Sequence, residues 1–394
     1  MLLLLVLIPA LAMAQPGKVL PLINSQTDLL LGNTEKAIAA DKTTKATLVS
    51  PRTLTPQGTL QLVPSRDWTS GFFAGELWYL YELTGNPDRL GQAKVYTAWQ
   101  EVEKLNGTSH DMGFKVYCSV GNGYRLTHDP AYRDVIIQSA KTLSTRFKPA
   151  AGILRSWDHH KEVWQCPVII DNMMNLELLF EATKLTGDST FYEIAVAHAR
   201  TTLKNHYRAD NSSYHVVDYD TLTGKVLKKN THQGLSHESA WSRGQAWGLY
   251  GYTMCYRETG DKVFLEQAQK IARFILNHPH LPVDLVPYWD FDAPKIPNEP
   301  RDVSAATVMA SALYELSTYT PTGMHYRQTA DKLMATLQAS YLSPAGANQG
   351  FLLLHSTGSK PSDSEVNVPL IYADYYFLEA LLRQKTLNQN KPLF

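Results

Sequence analysis

Apolar residues along this chain recur at the interval of a helix face far more often than in strict alternation. Phe264, Ala268, Ile271, Ala272 and Ile275 fall at helical spacing. Phe191-Tyr192-Glu193-Ile194-Ala195-Val196-Ala197-His198-Ala199 is an Ala-rich amphipathic stretch of the same kind. A recurring phrase precedes such stretches. Leu80-Tyr81-Glu82-Leu83-Thr84-Gly85-Asn86 returns as Phe180-Glu181-Ala182-Thr183-Lys184-Leu185-Thr186-Gly187-Asp188, and again as Cys255-Tyr256-Arg257-Glu258-Thr259-Gly260-Asp261. Tyr124 to Pro130 is a looser copy, as is Tyr314-Glu315-Leu316 running on to Pro321-Thr322-Gly323. The phrase describes a helix, a glycine stop, an Asp or Asn cap, and the next helix. Its spacing, roughly 40 to 75 residues, predicts about six helical hairpins. A hairpin with one apolar face cannot stand alone, whereas six can close on themselves. With no polar capping repeat evident, the pattern favours an all-α closed toroid over an open solenoid or an ordinary bundle.

Between the helices lie long segments rich in Trp, His, Pro and Asp: Gly107–Gly113, Arg155–Asp171, Tyr214–Ala240 and Val283–Val303. If each joins helices at the same end of the ring, together they form one face, where functional residues are expected to concentrate. The N-terminus has a different pattern. Leu2 to Leu11 is apolar except for Pro9, and Ala12-Met13-Ala14 before Gln15 matches an A-x-A cleavage signal. Met1–Ala14 is therefore expected to be a secretory signal peptide lacking its basic leader, which implies export to the periplasm; the competing reading is a buried N-terminal helix. Residues 15–394 would then form one catalytic barrel. No stretch approaches the roughly 20 apolar residues of a membrane span.

Composition narrows the classes. The 394 residues carry 37 Lys+Arg against 37 Asp+Glu, with 44% hydrophobic and 10% aromatic residues. That content excludes wholesale disorder, and zero net charge argues against nucleic acid or an anionic membrane as the main partner. Any acidic ligand must be held by a few placed residues. Cys118, Cys166 and Cys255 are odd in number and far apart, so buried free thiols are expected rather than a disulfide framework or a zinc site.

Three clusters carry candidate chemistry. In Pro167-Val168-Ile169-Ile170-Asp171-Asn172-Met173-Met174, a carboxylate sits inside an apolar run at the expected start of a helix. Asp171 is either an N-cap or a desolvated proton donor, since burial raises a carboxyl pKa toward neutrality. Asp111, in Ser109-His110-Asp111-Met112-Gly113-Phe114, presents the same choice. Two acids in one cleft would push each other's pKa values apart. In Trp241-Ser242-Arg243-Gly244-Gln245-Ala246-Trp247, Arg243 and Trp247 share a helix face, as a carboxylate clamp with a sugar platform or as a packing pair in the wall. Trp68 and Trp157 add aromatic surfaces that fit a core equally well. His159, His160 and His215 lack the H-E-x-x-H spacing of a metal site, and no nucleotide loop or G-x-S-x-G is present, so no metal or cofactor is expected.

Four motifs occur in a telling order: Asp67-Trp68-Thr69-Ser70-Gly71-Phe72, His110-Asp111-Met112-Gly113-Phe114, Ile170-Asp171-Asn172-Met173-Met174-Asn175, and Trp241 to Trp247. With Val368-Pro369-Leu370-Ile371-Tyr372-Ala373-Asp374-Tyr375-Tyr376 at the end, the chain resembles the unsaturated glucuronyl hydrolases of glycoside hydrolase family 88 from about Gln61 to Leu382. The resemblance implies an (α/α)6 barrel. Its implied substrates are oligosaccharides, of glycosaminoglycan type, that polysaccharide lyases leave with a 4,5-unsaturated uronic acid at the non-reducing end. It further implies Asp171 as general acid/base and Asp111 as a second essential acid on the sugar hydroxyls. Trp68, His110, Trp157, His215, Gln233, Arg243 and Trp247 would line the sugar site, with Arg243 holding the uronate carboxylate. Relatives that favour sulfated fragments resemble one another in a late Ser-x-x-Ser-x-Lys pattern, whose nearest counterpart is taken as Ser356-Thr357-Gly358-Ser359-Lys360, one residue short. Competing readings are an unsaturated rhamnogalacturonyl hydrolase acting on pectin fragments, a non-catalytic sugar-binding protein on the same barrel, and an ordinary inverting glycosidase.

Overall fold

A computed structural model describes residues 16–41 and 47–394; the expected leader, Met1–Ala14, lies outside the described residues. Among the described residues twelve α-helices follow one another: α1 (Pro16–Ala40), α2 (Ser70–Thr84), α3 (Pro87–Ala98), α4 (Asn122–Thr127), α5 (Pro130–Ser144), α6 (Glu177–Thr186), α7 (Ser189–His206), α8 (Ser242–Thr259), α9 (Lys262–Asn277), α10 (Val303–Leu316), α11 (Gly323–Thr336) and α12 (Ile371–Asn388).

The recurring phrase behaves as its composition predicts. Gly85, Gly187 and Gly260 take left-handed φ values of 70°, 75° and 67° and stop α2, α6 and α8. The next residue, Asn86, Asp188 or Asp261, accepts a backbone N–H two positions on and starts α3, α7 or α9. In the looser copy His128 adopts the left-handed conformation instead, and Asp129 caps α5. The last copy departs from the scheme. Gly323 opens α11, where an added Cβ would lie 1.9 Å from the Ser317 carbonyl oxygen, so close approach rather than a helix stop demands glycine there.

The elements close into an (α/α)6 barrel. Its inner ring runs through α2, a π-helical stretch Gly113–Gly121 that continues into α4, a 3₁₀ turn Ile170–Asn175 that continues into α6, then α8, α10 and α12, which packs back on α2. The outer layer is α3, α5, α7, α9 and α11 with α1, which Asp28 ties to Arg89 of α3 at 2.7 Å. Burial separates the layers. Every residue of α10 is buried, as an inner helix enclosed on all sides requires, whereas α9 buries one stripe containing Phe264, Ala268, Ile271, Ala272 and Ile275. Cys118, Cys166 and Cys255 are buried and unpaired. Among the described residues no helix is long and apolar enough to cross a membrane.

Short strands stiffen the segments that the sequence presents as loops. They are β1 (Leu48–Leu54) with β2 (Leu60–Pro64), β3 (Phe147–Lys148) with β4 (Ile153–Leu154), a sheet of β5 (Pro167–Ile169), β6 (Val216–Tyr219) and β7 (Val226–Asn230), and β8 (Ser356–Ser359) with β9 (Ser364–Val368). All pairs are antiparallel. Both β5 and β6 are buried along their length; β5 is apolar throughout, and the buried Asp218 of β6 accepts the Gln165 and Cys166 N–H groups.

Candidate active site

The N-terminal ends of five inner-ring elements border a cleft of about 680 Å³ at one end of the barrel, and the sixth, α10, begins behind Arg243. Trp68 precedes α2, Asp111 precedes the π-helical stretch, and Asp171 lies in the 3₁₀ turn before α6. Arg243 is in the first turn of α8, Asp302 caps α10, and Tyr372 is in the first turn of α12.

Two local features bring the acids together. Gly113 packs so tightly against the turn that bears Asp171 that an added Cβ would stand 2.7 Å from the Asn175 Cα. The Phe114 N–H donates to Asn175 Oδ1 at 3.2 Å across the same joint. On the other side, the β5–β6 register sets Ile169 opposite Val216, and the Ile170 N–H donates to the His215 carbonyl, so Asp171 and His215 emerge side by side.

Neither acid is a helix cap. Asp111 Oδ2 accepts from Ser109 Oγ at 2.9 Å and its Oδ1 lies 3.2 Å from His110 Nε2. Burial pushes the Asp171 carboxyl up to about 7; Arg243 and the residue's own backbone N–H oppose this, and the Asp111 charge reinforces it. His215 stands behind Asp171. Its Nδ1 accepts the backbone N–H groups of His232 and Gln233, both at 3.1 Å, which puts the ring proton on Nε2, 3.7 Å from Asp171 Oδ2. Burial holds this imidazole neutral, well below its ordinary pKa. The arrangement is a half-protonated carboxyl at neutral pH with a neutral N–H donor at its back.

Arg243 lines the cleft, and its guanidinium is also engaged by the protein. Its Nη1 donates to Asp302 Oδ2 and to the Thr357 carbonyl, both at 2.6 Å, and its Nη2 to the Gly358 carbonyl at 2.5 Å. The guanidinium is 1% exposed, packed over Trp241 with its carbon 4.5 Å from the ring centroid. Its fork is occupied by the protein. It fastens the β8–β9 hairpin to the barrel, while its charge restrains the rise in the Asp171 pKa. Trp247 is not among the residues that line the cleft. It is wholly buried against Phe114 and Tyr376.

The remaining expected residues are at the cleft or directly behind it. Trp68, His110, Trp157 and Gln233 line it, whereas His215 is reached only through Asp171. The Gln233 amide donates to the Gly358 carbonyl at 3.1 Å, a second tie on the hairpin. Of the four long segments, Val283–Val303 lines none of the cleft. It acts from behind, with Asp290 accepting from the Leu235 N–H at 2.9 Å and from Ser239 Oγ at 2.8 Å.

Two further elements wall the cleft. One is Arg52 of β1, which grips Glu365 through Nε at 2.6 Å and Nη2 at 2.9 Å, and Asp67 through Nη1. The other is the β8–β9 hairpin, where Ser359, Ser362 and Ser364 face the cleft. The Ser-x-x-Ser-x-Lys spacing is met by Ser359, Ser362 and Ser364, beginning three residues after Ser356, with Ser364 where the pattern has lysine. Lys360 does not line the cleft.

Comparison with known proteins agrees with this geometry. The model of Glycosyl Hydrolase Family 88 matches residues 40–377. The chain belongs to glycoside hydrolase family 88. An unsaturated glucuronyl hydrolase from Formosa agariphila is 52% identical over 327 residues, 82% of each chain. An unsaturated chondroitin disaccharide hydrolase from Streptococcus agalactiae is 32% identical, again over 82% of each. Among solved structures, an unsaturated glucuronyl hydrolase specific for heparin superposes with a TM-score of 0.89 at 46% identity, covering 95% of this chain and 99% of its own.

Proposed function

We infer that this family 88 member removes the 4,5-unsaturated uronic acid from the non-reducing end of glycosaminoglycan-type oligosaccharides by hydrating the double bond. The observation that carries the reading is Asp171, a single buried carboxyl with a pKa of about 7 that opens on the cleft. Such a group can donate a proton and then recover one at the same pH.

The C4=C5 bond, conjugated to the ring oxygen as a vinyl ether, takes a proton at C4. Asp171 supplies it from one face of the sugar. Positive charge then develops at C5 and O5, and water adds at C5 while the ionised Asp171 accepts the water proton. His215 Nε2–H stabilises the carboxylate between the two transfers. The C5 hemiketal opens by breaking C5–O5, leaving C1 as a hemiacetal that collapses to an aldehyde and expels the leaving sugar. Asp111, held by Ser109 and His110, is placed to accept hydrogen bonds from the sugar hydroxyls. This route differs from that of ordinary glycosidases, whose paired carboxylates act at the anomeric carbon.

Loss of the conjugated alkene's ultraviolet absorbance, followed on lyase-generated disaccharides of glycosaminoglycan and pectin origin, tests the proposal directly. Absorbance should fall on the former, and saturated analogues should remain intact. An enzyme that cleaves the saturated analogues refutes the hydration route. In the same assay kcat should be level at acidic pH and decline through a midpoint near pH 7, because Asp171 must begin the cycle protonated and its acid form is lost as pH rises through about 7. A profile that rises through this range would assign Asp171 the opposite role.

A further inference from the structure

A second cavity, of about 530 Å³, lies between α2, the π-helical stretch, α6, α8 and α12. Its rim includes Arg125, Lys184, Glu258 and Arg383, all from later turns of the inner ring, so it opens at the end of the barrel opposite the catalytic mouth. The two cavities share no lining residue. Trp247 stands between them, in ring contact with Phe114 at 5.3 Å on the catalytic side and with Tyr376 at 5.5 Å on the other. The hydration chemistry uses no part of this second space.

Its wall holds more carboxylate than it neutralises. Arg257 is shared by Glu177, Glu258 and Glu315, and Arg383 by Glu315 and Glu379. Lys184 is 2.7 Å from Glu258 but 3.7 Å from Glu181. Five carboxylates therefore meet three cations, and Arg125 at the rim is taken up by Glu82. Glu177 reaches Arg257 through Oε1, while its Oε2 receives no hydrogen bond among the described residues. Burial raises the Glu177 pKa against the pull of Arg257, with Glu258, Glu315 and Glu379 adding to the rise. Glu181 follows one helical turn later, a spacing of about 5 to 6 Å on one face. Tyr117 stands beside both carboxylates.

A separate sign of a ligand is Tyr376. It lines the cavity at 2% exposure, yet its hydroxyl has no hydrogen-bond partner among the described residues, which is uncommon for a buried phenol. The neighbouring phenols are satisfied: Tyr79 and Tyr250 donate to Glu379 at 2.9 and 3.0 Å, and Tyr375 accepts from Asn122 at 3.2 Å. No cluster of metal-ligating side chains occurs among the described residues, so the surplus carboxylate calls for an organic cation.

We propose that this cavity is a binding site for a small alkyldiamine, held by Glu177 and Glu181 at its two ammonium groups. Glu177 Oε2 and the Tyr376 hydroxyl accept from the inner ammonium, and Glu181 accepts from the outer one. The tyrosine rings cover the methylene chain and attract the adjacent charge. A neutral ligand would leave the surplus charge uncompensated, and an anion would add to it.

Calorimetric titration of the full chain with putrescine, butylamine and the uncharged diol of the same length, at constant ionic strength, tests the site. Putrescine should bind saturably with one equivalent, butylamine about tenfold more weakly, and the diol without measurable heat. Glu177→Gln keeps an acceptor for Arg257 and removes one of the surplus charges, so the fold should tolerate it while putrescine affinity falls about tenfold. Tyr376→Phe, which keeps the ring contacts, should cost about fivefold. Absence of saturable heat with putrescine overturns the proposal. Full affinity in both variants overturns it too, since the amine would then lie elsewhere, the catalytic cleft included. Butylamine binding as tightly as putrescine would rule out the two-carboxylate grip.

Discussion

Asp171→Asn is expected to lower kcat by about 10² to 10⁴-fold, the usual contribution of a positioned general acid/base, with little change in KM. The amide has nearly the shape of the carboxyl but cannot deliver a proton to C4 or take one from water. Neither neighbour can replace it. Burial keeps His110 and His215 uncharged near neutral pH, so neither imidazole carries a proton it can readily release. Single-turnover measurement of alkene loss is the check. Near-normal turnover in this variant would remove Asp171 from the chemistry altogether.

The second large effect concerns stability. Arg243→Ala should destabilise the fold by about 3 to 5 kcal/mol, because it strands the wholly buried Asp302 without its partner. Denaturant melts read this directly. Arg243→Lys separates charge from geometry. A point ammonium cannot reach Asp302 and the Thr357 and Gly358 carbonyls together, so the β8–β9 hairpin should loosen while the charge remains. Removing the charge outright should also move the Asp171 limb of the pH profile to higher pH, since Arg243 lowers that pKa. Unchanged stability in the alanine variant would contradict the fastening role.

These two residues mark how far the sequence could be read. The helix stops were legible because each is local: Gly85, Gly187 and Gly260 and the caps after them act within a few residues. The environment of Asp171 was legible for a similar reason, since its apolar flanks announce burial. Arg243 and Trp247 were paired correctly on one helix face, but depth was invisible. Four residues carry the chain about 6 Å down the axis of an inner helix, which takes Trp247 from the mouth into the core. Apart from its serine spacing, the hairpin Ser356–Val368 reads as a flexible polar turn. Its place in the cleft depends on Arg52, Gln233 and Arg243, which are remote in the chain. The sheet of β5 to β7 escaped notice because buried three- and four-residue strands have no room to alternate.

The common orientation of the inner ring has an electrical consequence. Each helical element begins in backbone N–H groups equivalent to about half a positive charge, and five such ends border one mouth while Asp302 caps the sixth. A chain with no net formal charge thus brings backbone N–H dipoles to the opening that receives an anionic sugar. That field is carried by the peptide backbone, so pH does not titrate it and side-chain replacement does not erase it. The rim can vary in which sugar it prefers while the attraction for a uronate remains.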